Sequence, residues 1–189
     1  MENADRTSKL EVACELFSSA LDMYFQGKYF AALHLGGAAE ELFGEYVRRS
    51  GKSSAMDSWR TDGLDLVNFI ETNELWTTVE FRNAMNFAKN RTKHMDGAGD
   101  DEIFFDADSE ARDILNRAVF DFYQLFEQYK LTESPFISQF LRLRNAGYSN
   151  HESKCRFLND LKVVCEPSFK DGLNNSPPRR VSALRKVFP

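Results

Sequence analysis

Residues 8–26 read Ser-Lys-Leu-Glu-Val-Ala-Cys-Glu-Leu-Phe-Ser-Ser-Ala-Leu-Asp-Met-Tyr-Phe-Gln. Leu10, Ala13, Cys14, Phe17, Ala20, Leu21 and Tyr24 recur every three or four positions, the spacing of one buried stripe on an α-helix. Gly27 and Lys28 make a turn, and a second helix is expected from Tyr29 to Ser50, closed by Gly51. That helix carries Ala31, Ala32, Gly36, Gly37, Ala38 and Ala39. Two adjacent glycines cost a helix about 2 kcal/mol against alanine. Close approach of a neighbouring helix is the expected compensation.

The same periodicity continues along the chain. Residues 51–62 read as a polar loop, 63–72 as a short helix and 75–94 as a longer one. Asp96 to Asp106 forms an acidic loop. A strong helix follows over 109–130, with Ala111, Ile114, Leu115, Ala118, Phe122, Leu125 and Tyr129 on its apolar side and Asp108 or Ser109 as its cap. After Pro135, residues 136–144 and 150–164 form two shorter helices, and the last stretch is rich in Asn, Ser and Pro. No segment shows strand alternation. The expected fold is all-α: an up-and-down bundle of four to five helices over 1–132, with a basic, helical C-terminal extension over 133–189.

Composition agrees. Seventeen Phe stand against five Pro and ten Gly, and hydrophobic residues make up 42% of the chain. No apolar run reaches the roughly 20 residues of a membrane span, and the N-terminus lacks the basic-then-apolar order of a signal peptide. A cytoplasmic protein without membrane attachment is expected. Cys14, Cys155 and Cys165 are odd in number and widely spaced, which favours buried reduced thiols over a disulfide framework or a zinc site. No metal or cofactor is expected. Residues 1–130 hold 14 basic against 24 acidic side chains, residues 131–189 hold 10 against 5. Two readings of the basic tail stand open, an arm for nucleic acid and a segment that docks on its own acidic domain.

On a helix over 80–95, at about 100° per residue, Phe81, Ala84, Met85, Ala88, Thr92 and Met95 gather toward the core. Asn83, Asn86, Asn90, Lys93 and His94 gather on the opposite side. That face offers amide donors and acceptors, a cation and one side chain that titrates near neutrality. Asn is a mediocre helix former, so three on one face is an informative choice. The plain alternative is a solvated or inter-helix polar face. His34, between Leu33 and Leu35, is expected to pack within the bundle, and Glu40 and Glu41 to pair with Lys93 or Arg82.

Lys89-Asn90-Arg91-Thr92-Lys93-His94 resembles the signature of the HEPN superfamily, the nucleotide-binding helical domains shared by higher eukaryotes and prokaryotes. That signature is an Arg, a polar residue (often Asn), three variable positions and a His. Lys89 stands in the place of the Arg, Asn90 matches the polar position and His94 the His. Leu33 to Gly44, Asn90 to Asp96 and Phe105 to Phe122 are also similar to a group of uncharacterised bacterial helical proteins. Those share a Gly-Ala-Ala-Glu-Glu second helix, an Asn-x-x-Lys-His-x-Asp segment and a Phe-Asp-x-x-x-Glu-Ala helix start. The likeness spans about residues 8–130 and leaves the tail aside.

The resemblance implies an RNA-binding protein, or one that binds a nucleotide-bearing partner, in a bacterial defence or toxin–antitoxin setting with a cognate partner protein. In many members of the superfamily it also implies metal-independent RNA cleavage from a site shared by two protomers. His94, Lys89 and Asn90 then take the catalytic positions, with Asn83, Asn86 and Lys93 in binding. An imidazole can move a proton from a ribose 2′-hydroxyl or to the leaving oxygen, and a cation stabilises charge on the phosphoryl oxygens. Lys in place of Arg lacks the bidentate grip on phosphate. Residues five apart on one helix point about 140° away from each other, so Lys89 and His94 converge only across a helix break or in a homodimer. The alternative function is a non-enzymatic dimerisation or interaction module.

Overall fold

The computed structural model describes residues 7–70, 76–94 and 102–148, with the side chains of 66, 67, 69, 70 and 146–148 left aside. Among these residues the chain is all-helical, with seven helices and no strand: α1 (Lys9–Phe25), α2 (Tyr29–Arg49), α3 (Ala55–Ile70), α4 (Thr78–Met85), α5 (Phe87–Arg91), α6 (Ala107–Tyr129) and α7 (Pro135–Tyr148). No helix among the described residues is long and apolar enough to cross a membrane. The expected helix over 150–164 and most of the basic extension lie outside the described residues. The chain divides into two units that interleave in sequence, Met1–Ala55 with Ala111–Ser138 and Met56–Glu110 with Gln139–Pro189.

The first unit is organised by α1, α2 and most of α6. Ser8 and Glu11 close the start of α1 in a capping box, Ser8 Oγ accepting from the Glu11 amide at 3.1 Å and Glu11 Oε2 accepting from the Ser8 amide at 2.7 Å. The amides of Gly27 and Lys28 bond the carbonyls of Tyr24 and Met23, and those of Gly51 and Lys52 bond Arg48 and Val47. Both helices thus end in the Schellman arrangement, with Gly27 at φ 72 and Gly51 at φ 78 supplying the left-handed residue. Leu10, Ala13, Phe17, Ala20, Leu21 and Tyr24 are buried along α1 as the stripe predicts, and Cys14 is half-buried. Burial pushes its thiol above the ordinary range, and the Glu11 charge adds to that.

Phe17, Phe43 and Phe122, one from each helix, meet with ring centroids 5.7 to 5.8 Å apart. Beyond area burial, such pairs contribute about 0.5–1.5 kcal/mol each. Gly36 explains part of the small-residue run. A Cβ there would lie 3.1 Å from Leu115 Cδ2, 3.3 Å from Ile114 Cγ2 and 3.7 Å from the Ala20 methyl. The helices approach closely at this point, as expected. On α6 the stripe is buried from Ala111 to Leu125, but Tyr129 is 38% exposed and rests edge-on against Tyr46.

The second unit departs further from local expectation. α3 begins at Ala55, inside the stretch expected to be a loop. Its first residue, Ala55, still belongs to the first unit, where its amide donates to Asp121 Oδ1 at 2.7 Å, from 66 residues away. Met56, Trp59, Leu64 and Trp76 pack around Phe81 and Met85. Thr77 and Glu80 form a capping box for α4. The expected helix over 75–94 is two helices, because it breaks at Asn86. There the side-chain Nδ2 and the main-chain amide both donate to the Arg82 carbonyl at 3.1 Å, local competition that bends helices. At α6 it is Asp106, ahead of the expected caps, whose Oδ1 accepts from the amides of Asp108 and Ser109.

Candidate functional site

The break at Asn86 and the short α5 set the geometry of the polar segment. Phe81, Met85 and Ala88 are buried and Ala84 and Thr92 half-buried, as the helical reading requires. Thr92 closes α5, its Oγ1 donating to the carbonyls of Ala88 at 2.9 Å and Lys89 at 3.2 Å. Lys93 follows in a turn, its amide bonded to the Asn90 carbonyl at 3.1 Å. The carbonyls of Ala88, Lys89 and Asn90 thus accept from Thr92 and Lys93.

Of the site residues expected from sequence, Asn83, Asn90, Lys93 and His94 are exposed and Asn86 is half-buried. Lys89 is only 5% exposed. The segment therefore presents Asn90, Lys93 and His94 to solvent and turns Lys89 inward. The helix ends at Arg91, so Lys93 and His94 leave the helical period, yet Lys89 does not join them on the exposed side. From Arg82 to His94 the chain carries Arg82, Lys89, Arg91 and Lys93 and no acidic residue. This is a local cationic stretch on a chain whose net charge is −5. Among the described residues no group of three His, Cys, Asp or Glu side chains gathers to hold a metal ion.

Sequence reasoning missed a second polar cluster, buried in the first unit. Arg117 is 0% exposed and Glu40 4%. The guanidinium Nε donates to Glu40 Oε1 at 2.8 Å and Nη2 to Oε2 at 3.4 Å. Glu40 thus pairs with Arg117, not with Lys93 or Arg82 as expected. Asp121, one turn beyond Arg117 on α6, is also fully buried. Its Oδ1 holds the Ala55 amide, while Oδ2 has no hydrogen-bond partner and lies 3.3 Å from where a Cβ on Gly44 would sit.

Burial pushes the Asp121 carboxyl up to about 7; the Ala55 amide bond opposes this, the Glu40 charge adds to it, and Arg117 and Arg48 pull it down. The signal for this cluster was present: Arg117 and Asp121 fall inside the apolar stripe of α6, between Ile114 and Leu125. Charges there must find partners or stay neutral. Glu40, Arg117 and Asp121 are all closed to solvent.

Comparison of the chain with protein-family models, with curated proteins and with solved structures returns no match.

Proposed function

We propose that the chain is an RNA-binding helical protein of the HEPN type, and that the exposed face formed by Asn83, Asn86, Asn90, Lys93 and His94 is its RNA contact. The observation that carries the reading is the stretch from Arg82 to His94, without acidic residues and rich in amides, on a broken helix that leaves Asn90, Lys93 and His94 exposed. The amides supply donors and acceptors for ribose and base edges, and Lys93 supplies a phosphate contact. His94 is the group suited to proton transfer at a 2′-hydroxyl. Lys89 is buried, so the cation offered to a phosphorane is the exposed Lys93, and a homodimer would bring a second copy of it to a shared site. A non-enzymatic interaction module is the competing reading.

The test is RNA binding and cleavage without divalent metal, by wild type and by His94→Ala. Wild type binds and cleaves. The variant binds within a few-fold and loses cleavage by at least ~100-fold, the usual contribution of a general acid or base. Cleavage undiminished in the variant identifies a contaminant, and binding without cleavage in wild type leaves an RNA-binding protein that is no enzyme. Absence of both sinks the reading in favour of the interaction module.

A further inference from the structure

Within the first unit, the chain leaves α2 and lies against α6 as residues 52–55, just before it passes into the second unit at Met56. Hydrogen bonds fasten this short strap at every residue. Lys52 Nζ donates to the Gln124 carbonyl at 2.7 Å, and Gln124 Nε2 donates to the Ser53 carbonyl at 2.9 Å, both in exposed positions. Arg48 Nη1 donates to Ser54 Oγ at 3.2 Å. The Ala55 amide donates to Asp121 Oδ1 at 2.7 Å. Ser54 and Ala55 are buried, whereas Lys52 and Ser53 are exposed. The buried end of the strap is thus two residues from solvent along the chain.

Asp121 packs at that buried end. A Cβ on Gly44 would meet Asp121 Oδ2 at 3.3 Å, Ser54 Cβ at 3.4 Å and Arg48 Nη1 at 3.6 Å, so the missing side chain lets these groups close on one point. Oδ2 itself has no hydrogen-bond partner among the described residues. The charged groups that act on the carboxyl are Glu40 and Arg48 from α2 and Arg117 on its own helix. Glu40 is tied to Arg117, and Arg48 also bonds Glu45. Lys52, the charge on the strap, is exposed and held by the Gln124 carbonyl. The closed site therefore suits a neutral acid: burial raises the carboxyl to about 7 against the opposing Ala55 bond. An ionised carboxylate with one oxygen bare needs water. Parting α2 from α6 would break the Phe43–Phe122 contact and expose apolar surface. Releasing the strap gives up hydrogen bonds instead, and those with Gln124 already lie in reach of solvent.

We propose that residues 52–55 form a proton-operated latch: protonated Asp121 keeps the strap closed on α6, and loss of that proton releases the strap locally, where the chain passes into the second unit, while α1, α2 and α6 stay packed. In the open form the carboxyl returns to its ordinary 3.8. Opening therefore releases a proton between that value and 7. The latch is firmest below about pH 4, loosens about tenfold per pH unit above it, and loosens no further above 7.

Amide hydrogen exchange of the full chain, corrected for the intrinsic rate at each pH and repeated in urea up to about 1 M, reads the latch. Local opening exposes little surface and is insensitive to urea, whereas global unfolding is not. Protection of the Ala55 amide is expected to fall about 100-fold from pH 5 to pH 8 and to be unchanged by urea. The amides of Phe17 to Leu21 in α1 are better protected at both pH values and lose protection as urea rises. In Asp121→Asn the Ala55 protection stays within a few-fold over the same pH range. Gln124→Ala lowers it at every pH and keeps the pH slope. A wild-type Ala55 amide whose protection does not change with pH, or an equal loss in Asp121→Asn, overturns the latch. Ala55 protection that equals that of α1 and follows urea with it also overturns the latch, since Asp121 is then reached only by global unfolding.

Discussion

Glu40→Ala is expected to destabilise the protein by about 3–5 kcal/mol, the usual effect of leaving one member of a buried ion pair without its partner. Arg117 is fully buried and its Nε and Nη2 both reach the Glu40 carboxylate. Removing that carboxylate leaves a guanidinium that cannot return to water without opening α2 from α6. Replacing both residues, Glu40→Met with Arg117→Met, removes the charges together and is expected to restore most of the loss. Urea unfolding of the two single variants and the double variant gives the coupling directly. A loss below about 1 kcal/mol for Glu40→Ala shows that the pair is not desolvated, and the buried layer is then wrongly described.

Asp121→Asn probes the same layer through pH. The carboxyl is raised from 3.8 to about 7, first by burial. Between those values the folded state holds a proton that the unfolded state has released. Stability from this group is therefore fully present below about pH 4 and is lost as pH rises through 7. Between pH 5 and pH 8 wild type should lose about 2–3 kcal/mol relative to Asp121→Asn, at ~1.4 kcal/mol per unit up to the folded value. The amide keeps an oxygen to accept from the Ala55 N–H and carries no charge, so the variant lacks this term. Asp121→Ala discards the cap on α3 and should be weaker than Asp121→Asn by about 1 kcal/mol at every pH. A wild type that gains on Asp121→Asn with rising pH would show Asp121 to be an ionised partner of Arg117 and Arg48. The two layers also interact: with Glu40 gone, Asp121 ionises more readily and offsets part of the lost pairing.

Much of the fold was legible in sequence because local forces decide it. The stripe of α1, the glycines that end α1 and α2, and the close approach at Gly36 all follow from periodicity, from left-handed caps and from the missing Cβ. The inward residues of the segment after Trp76 were legible for the same reason. What escaped reading depends on partners far away in the chain. α3 starts early because Asp121 caps it from α6, and Glu40 is satisfied by Arg117 rather than by the cations near the candidate face. Tyr129 lies in the stripe by period, yet beyond Leu125 it is exposed and leans on Tyr46. The break at Asn86 is local, but a side chain that competes for its own helix carbonyl looks the same in sequence as one that faces solvent.

Among the residues of the candidate face, Asn83, Asn90, Lys93 and His94 are exposed and Asn86 is half-buried. The one continuous helix behind that expectation is interrupted at Asn86 and ends at Arg91, so Lys93 and His94 are not placed by helical phase. Lys89 was expected to diverge from His94, and its burial goes further than divergence on a surface. The Phe87–Phe105 contact could not be read in advance, because residues 102–106 have no period.

RNA titrations of wild type and of the Asn90→Ala, Lys93→Ala double variant, repeated over a range of salt concentrations, test the central claim most directly. Both substitutions fall on exposed positions outside the core, so the fold is retained. If the face binds RNA, the double variant binds about tenfold more weakly, and the slope of log affinity against log salt becomes shallower by ~0.7, the value for one lost phosphate contact on a single strand. Equal affinity and equal slope in the two proteins would contradict the assignment of this face.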